Sequence, residues 1–254
     1  AYEIRPRDWS SDVCSSDLGV LAPGGCIYRI DPDGKHWELI ANGFRNEYDA
    51  AFNREGELFT YDADMEWDWG MPWYRPTRVN HAVSGAEFGW RFGTGKWPDY
   101  YADSLGAAVD IGVGCPTGVG NGRGAKFPAK YQRAIYVMDW TYGRIMAVHL
   151  KPEGASYNAI WENFITPAGL VKPSQPKPPL NVTDLVIGND GAMYFTIGGR
   201  GTAAGLYRVS YTGSESTADA WVPNKEGSEA RALRHKLEWL HGRVSPGEIG
   251  RAHV

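Results

Sequence analysis

The chain has 254 residues, 43% hydrophobic and 22% charged, a balance that excludes a disordered chain and suits one large domain or two small ones. A net charge of -4 argues against a nucleic-acid partner held by phosphate neutralisation, and no run of 18 apolar residues offers a transmembrane helix. Abundant Gly (32), Trp (11) and Tyr (14) favour short strands joined by turns over helices.

Residues 8–18 and 248–254 resemble translated sequencing-adapter DNA, and neither string carries a helix or strand period that connects to its neighbours. Residues 1–18 and 248–254 are therefore expected to be non-native tails. Cys14 falls in the first of them. Cys26 and Cys115 remain, two lone cysteines that define neither a zinc site nor a disulfide framework. No Cys-x-x-Cys-His sequence is present, so no covalent haem attaches within this chain.

Residues 25–30 alternate and run into Asp31-Pro32-Asp33-Gly34, which predicts a strand and a turn with Asp-Gly supplying the positive φ. Residues 37–41 read as the next strand, and 48–61 as a strand pair around Arg54-Glu55-Gly56. Residues 134–140 predict a buried strand, turned by Thr141-Tyr142-Gly143 into 144–150. Residues 189–196 echo 53–60, and 205–211 echo 25–30. One strand unit thus recurs at least three times with loops of unequal length, the longest between Asp62 and Thr117. Such recurrence is the signature of a β-propeller; a β-sandwich is the rival, but it would not repeat one motif this way. The expectation is an all-β propeller fragment over residues 19–213. Residues 172–179 read as a stiff proline-rich connector. Residues 214–247 read as a linker and the start of a helical domain. Ser228 is expected to cap a helix through His241, with Ala230, Leu233, Leu237 and Leu240 on one face.

The chemistry concentrates in residues 44–91. Asp62, Asp64, Glu66 and Asp68 share one parity, so an extended segment would point them to one side. Calcium, which takes six to eight oxygens, suits such a loop, although the spacing is not that of an EF-hand. The alternatives are an ion-pair network with Arg75, Arg78 and His81, or a solvated loop. Arg45-Asn46 follows a strand, near the mouth where a propeller binds ligands, and serves either a ligand or a turn. His81 could act as a base near neutral pH or make a structural hydrogen bond. Trp67, Trp69, Trp73, Tyr74, Trp90, Trp97, Tyr100 and Tyr101 cluster around the insertion, either packing it or stacking on sugar rings.

With Arg45-Asn46 before it and Gly89-Trp90 closing it, this stretch resembles the glucose/sorbosone dehydrogenase type of six-bladed propeller, in the version fused to helical repeats and a terminal cytochrome c. The resemblance covers about residues 24–213 and implies three to four of the six blades. It implies pyrroloquinoline quinone (PQQ) as cofactor, touched by Arg45 and Asn46, with Arg123 near a quinone-binding lysine position. It implies calcium held by Asp62, Asp64, Glu66 and Asp68 beside the quinone. Two arginines that grip the quinone carboxylates in that family fall near Asn181 and Thr183. The implied activity is oxidation of a sugar or alcohol: a histidine removes the hydroxyl proton, Arg45 steadies the developing charge, and hydride passes to the quinone. His81 is the histidine this chain offers, although the family's base comes from an early blade, so the chain alone is expected to be inactive. Electrons would leave to the cytochrome c domain of the parent chain, in the periplasm or outside the cell. The alternative is a non-catalytic propeller that binds glycans or a protein partner through its acidic and aromatic loop.

Overall fold

The computed structural model describes residues 24–63, 75–91, 95–96, 100–101, 104–167, 180–219, 221 and 223–241. The first sheet begins with β1 (Gly25–Ile30) and β2 (Trp37–Phe44). A second sheet meanders through β3 (Ala50–Phe52), β4 (Leu58–Asp62) and β5 (Thr77–Ala82). The segment after β5 lends β6 (Ala86–Glu87), parallel with β2, to the first sheet. It then forms a small hairpin of β7 (Trp90–Arg91) and β8 (Gly95–Lys96), and β9 (Val109–Gly112) completes the second sheet. The third sheet is β10 (Pro116–Asn121), a single-turn helix α1 (Ala129–Gln132), β11 (Ile135–Asp139), β12 (Arg144–Glu153) and β13 (Ser156–Ile165). The fourth is β14 (Val182–Ile187), β15 (Met193–Ile197) and β16 (Gly205–Val209), and α2 (Ser228–Glu238) follows.

The first strands of the second, third and fourth sheets lie side by side and run the same way, which is the radial order of a propeller. Along β10 and β14, Gly118 lies against Asp184 and Gly120 against Leu185, and Thr117 Oγ1 donates to the carbonyl of Val182 at 2.8 Å. A Cβ at Gly118 would sit 2.8 Å from the Asp184 Cα, so glycine is what lets the two strands approach. The backbone N–H of Val119 in β10 donates to Asp49, just before β3, at 2.8 Å. Past the other ends of these two strands, Arg54 and Arg123 both bear on Asp219. The starts of β3, β10 and β14 therefore share one face of the propeller, called the upper face below. Their ends share the lower face.

The second strands of the second and third sheets, β4 and β11, are buried on both sides, because each sits between two neighbouring sheets. In β11, Ile135 and Val137 pack towards the second sheet with Phe59, Tyr61 and Val79, while Tyr136 and Met138 pack towards the fourth with Met193 and Phe195. The strand therefore reads as a continuous apolar run rather than an alternation. Between the first and second sheets, Phe44 stacks on Phe88 at 4.7 Å beside Ala41, Ala82 and Ala86. The echoed residues hold equivalent places. Gly56 (φ +83) and Gly191 (φ +80) turn the chain into β4 and β15, each the second strand of its sheet. These sheets rule out the sandwich.

The helix α2 departs from expectation at both ends, ending at Glu238 and not at His241. Gly227 (φ +66) occupies the N-cap, and Ser228 is the first helical residue, its hydroxyl donating to the Lys225 carbonyl at 2.8 Å. The helix also docks on the lower face by its charged side. Leu233 and Leu237 stay 58% and 55% exposed, while Arg231 is buried and Arg234 half-buried. The anchor is Glu57, buried at the start of the second hairpin strand. It accepts hydrogen bonds from Arg234 Nη2 at 2.6 Å, His235 Nε2 at 3.0 Å and His81 Nε2 at 2.9 Å. Among the described residues, no helix is long and apolar enough to cross a membrane.

Burial pushes the Glu57 carboxyl up, but the hydrogen bonds from His81 and Arg234 outweigh it and bring the pKa down to about 2. A carboxylate held lower in the fold than in the open chain stabilises the fold above its ordinary pKa, near 4.5. That stabilisation is expected to drain away as the pH falls from about 4.5 towards 2. Hydrogen exchange of the α2 amides checks it: protection should fall through that window. Glu57→Gln should show weak protection already at pH 7, and equal protection in both proteins would contradict this account of the docking.

Candidate functional site

The upper face is organised by an aspartate at the end of a second strand. Asp62 closes β4 and is wholly buried. Its Oδ1 accepts hydrogen bonds from the backbone N–H groups of Arg45, Asn46 and Ala63, each at 2.9 Å. Its Oδ2 lies 3.7 Å from Nε of Arg78, its cross-strand partner at the start of β5. Arg78 Nη2 in turn donates to the Phe88 carbonyl. The carboxylate thus joins the segment leading into β3, the turn leaving β4 and the following strand.

The third sheet repeats the device. Asp139 closes β11, is wholly buried, and pairs across the ladder with Arg144. Its Oδ1 accepts from the N–H of Cys115, which leads into β10, and from Thr141 and Tyr142 in the turn, at 3.0, 3.1 and 3.3 Å. Its Oδ2 accepts from Arg144 Nε at 3.0 Å. Leu58–Asp62 and Ile135–Asp139 are the same five-residue strand ending in the same residue. That repetition was present in the sequence as two apolar pentapeptides ending in Asp, and it marks a role repeated from sheet to sheet.

Beside Asp62 stands Glu47, half-buried, with its carboxyl against Gly25. A Cβ at Gly25 would lie 2.3 Å from Glu47 Oε2, so the glycine makes room for the acid. Burial pushes the Glu47 carboxyl up, the negative charge of Asp62 adds to it, and the pKa stands at about 8. Glu47 is therefore neutral at pH 7. Sequence pattern did not single it out, because its distinction lies in burial beside Asp62.

The structure brings Arg45, Asn46 and Asp62 together. It does not bring His81 or Arg123 to them. His81 faces the α2 side, with Nε2 on Glu57 and Nδ1 2.9 Å from Ser156 Oγ of β13, so both ring nitrogens are engaged in structural contacts. This placement replaces the expected catalytic role with a structural one. Arg123 is exposed past the end of β10, on the lower face beside Asp219, and the expected quinone contact does not fit that position. Asp62 meets the ion-pair alternative: its Oδ1 is taken by three amides and its Oδ2 lies 3.7 Å from the Arg78 guanidinium. Asp64, Glu66 and Asp68, like Trp67, Trp69, Trp73, Tyr74 and Trp97, lie outside the described residues. Among the described residues no three His, Cys, Asp or Glu side chains converge as a metal centre requires.

No family model and no curated protein matches the sequence. Among solved structures, the chain is similar to a glucose dehydrogenase with a TM-score of 0.52 and 17% identity, over 72% of this chain and 49% of that one. The fold is that of a glucose-dehydrogenase propeller. An oxidoreductase described as a glucose dehydrogenase, from Thermus thermophilus, gives a TM-score of 0.49 at 19% identity, over 67% of this chain and 46% of that one. The PQQ-bound aldose sugar dehydrogenase of Streptomyces coelicolor gives 0.47 at 16% identity, over 74% and 50%. The chain spans about half the length of these structures.

Two outcomes follow for the upper face. Asp139→Ala strands Arg144 and three amides, and it should cost about 3–5 kcal/mol in urea denaturation. Asp62→Ala should cost a similar amount and also raise hydrogen exchange at Arg45 and Asn46. Glu47 has a folded pKa above its open-chain value, so the fold loses stability as the pH rises from about 4.5 to 8. Denaturation midpoints at pH 5 and pH 8 check this: wild type should drop across the interval and Glu47→Gln should stay nearly flat.

Proposed function

We propose that the chain is part of a quinone-dependent sugar or alcohol dehydrogenase-like propeller, with the upper face around Arg45 as its ligand-binding side. The observation that carries this reading is the Asp62 cradle, which fixes the backbone of Arg45 and Asn46 at the start of an inner strand. The donor set there suits an anionic quinone such as PQQ. It offers a guanidinium and an amide on an anchored segment, and Glu47, its pKa raised to about 8, is mostly uncharged at pH 7. PQQ, when bound, supplies the acceptor for a hydride leaving the alcohol carbon.

This chain's own residues bind and orient. Arg45 holds a carboxylate or a developing oxyanion, Asn46 donates its amide hydrogens, and Glu47 keeps a proton available for a hydrogen bond to a hydroxyl or carbonyl oxygen. Calcium beside the quinone would need oxygens beyond those of Asp62. The proton acceptor for the substrate hydroxyl is not His81, so this chain alone is proposed to bind rather than turn over. In the whole protein, electrons would pass to a cytochrome c domain, in the periplasm or outside the cell.

The test is PQQ titration followed by tryptophan fluorescence. The wild type should bind saturably, and Arg45→Ala should weaken binding by roughly 10- to 100-fold, the worth of one charge-assisted hydrogen bond or a bidentate pair. No uptake by the wild type would sink the reading. The exposed Tyr100, 79% accessible and edge-on to Tyr101 at 5.1 Å, favours a second reading as a glycan-binding surface. Glycan binding without PQQ uptake would select it.

A further inference from the structure

Three histidines stand where α2 meets the lower face, and their partners are not alike. His81 Nε2 is on Glu57, and its Nδ1 faces the Ser156 hydroxyl at 2.9 Å. His241 Nδ1 faces the Ser84 hydroxyl at 2.8 Å. A hydroxyl donates or accepts, so both of these rings keep their bonds whether charged or neutral. His235 stands between two carboxylates instead. Its Nε2 lies 3.0 Å from Glu57 Oε1, and its Nδ1 lies 3.0 Å from Glu238 Oε2. A carboxylate only accepts, so both ring nitrogens must carry hydrogen, and that form is the imidazolium. A neutral ring has one N–H and would turn a lone pair towards one of the two acids.

The other charges around His235 are engaged with one another. Arg234 donates Nη2 to Glu57 and Nη1 to Glu238, each at 2.6 Å. Across the cleft between α2 and the first sheet, Arg29 pairs with Glu38. His235 also sits in the last turn of α2, where the helix dipole favours a cation. The helix and the residues after it tie three turns of the lower face together. Glu57 belongs to the turn before β4. The Ala155 carbonyl, in the turn between β12 and β13, accepts from Arg234 Nε at 2.9 Å. Ser84, in the turn between β5 and β6, holds His241. The helix is thus a clasp across the second and third sheets. It also walls a cleft of about 1240 Å³ that Trp37, Leu39 and Phe52 line from the other side.

We propose that α2 is a pH-gated clasp on the lower face, closed while His235 carries both ring protons and loosened when it gives one up. The closed clasp holds one proton more than the loosened one, so raising the pH favours loosening. Histidine is the side chain suited to that change, because its charge changes between about pH 5 and 8. Losing the proton removes one N–H···O bond and sets a lone pair against a carboxylate, while Arg234 keeps its own bonds. The C-terminal half of α2 therefore loosens, and the cleft widens at its helical wall. At the acid end the clasp is limited by Glu57, as described above, so it is tight only between the two limits.

The experiment is amide hydrogen exchange on the full chain carrying Glu47→Gln, a background that flattens the pH dependence of the whole fold. Protection factors, corrected for intrinsic rates, are compared at pH 6 and pH 8.5. Protection at residues 235–239 should fall roughly 3- to 10-fold across the interval, the worth of one partly exposed charge-assisted contact, while the β11 amides hold. His235→Arg keeps two donors without titrating and should stay protected at both pH values. His235→Gln should be weakly protected at both. Long-range nitrogen–proton spectra should show both His235 ring nitrogens protonated at pH 6. Equal α2 protection at the two pH values overturns the proposal, as does a fall that survives in His235→Arg. A His235 ring that is neutral at pH 6 overturns it too, and so does a matching fall in the β11 amides, which would mark a change in the whole fold.

Discussion

The upper face depends on a buried carboxylate at the end of a second strand. In a propeller sheet that strand ends where the chain leaves for the third strand, close to where it first entered the sheet. Several backbone N–H groups collect there with no ladder partner, and leaving them unsatisfied in a buried position is expensive. An aspartate answers with one oxygen for the amides and one for an arginine of the third strand. Asp62 does this for the second sheet and Asp139 for the third. In the fourth sheet the equivalent residue is Ile197, and the neighbouring carbonyl of Gly198 takes the Trp140 indole N–H instead. The brace that serves two sheets is thus replaced, in the fourth, by the turn that carries Arg200.

This explains which parts of the structure were legible in the sequence. Strand runs and their glycine turns were readable, because Gly56 and Gly191 perform one geometric task and sit at one place in the repeat. The all-β propeller followed from that recurrence. Parity alone puts the acidic series from Asp62 onwards on one side, which suits a cation or an ion-pair network with Arg78 alike. Parity does not say which oxygens are already taken, and Asp62 is occupied by partners as far away in sequence as Arg45. Glu47 was invisible for the same reason. Its neutral state comes from burial beside Asp62, a fact of the fold and not of the local pattern.

The helix α2 shows a further limit. The usual rule for an amphipathic helix is that its apolar side meets the partner. The lower face of the second sheet instead offers Glu57, a buried carboxylate already touching His81. A buried charge of that kind demands compensation, and Arg234 and His235 supply it. The helix is therefore oriented by its cations, and the leucines are left outward. Where a buried charge and an apolar stripe compete for orientation, the uncompensated charge is the costlier to ignore.

The two faces consequently divide the work. On the lower face, histidine, glutamate and arginine are consumed by one another in holding α2, which is why His81 has no capacity left for a substrate. On the upper face, Asp62 and Asp139 consume the backbone donors and their own arginines, Arg78 and Arg144. The braces hold the segments leading into β3 and β10 in place. Arg45 and Asn46 can then be presented from an anchored backbone, so a ligand need not order the segment when it binds. On the proposed reading, the residues that meet a ligand are those whose backbone an aspartate holds, as Asp62 holds Arg45 and Asn46.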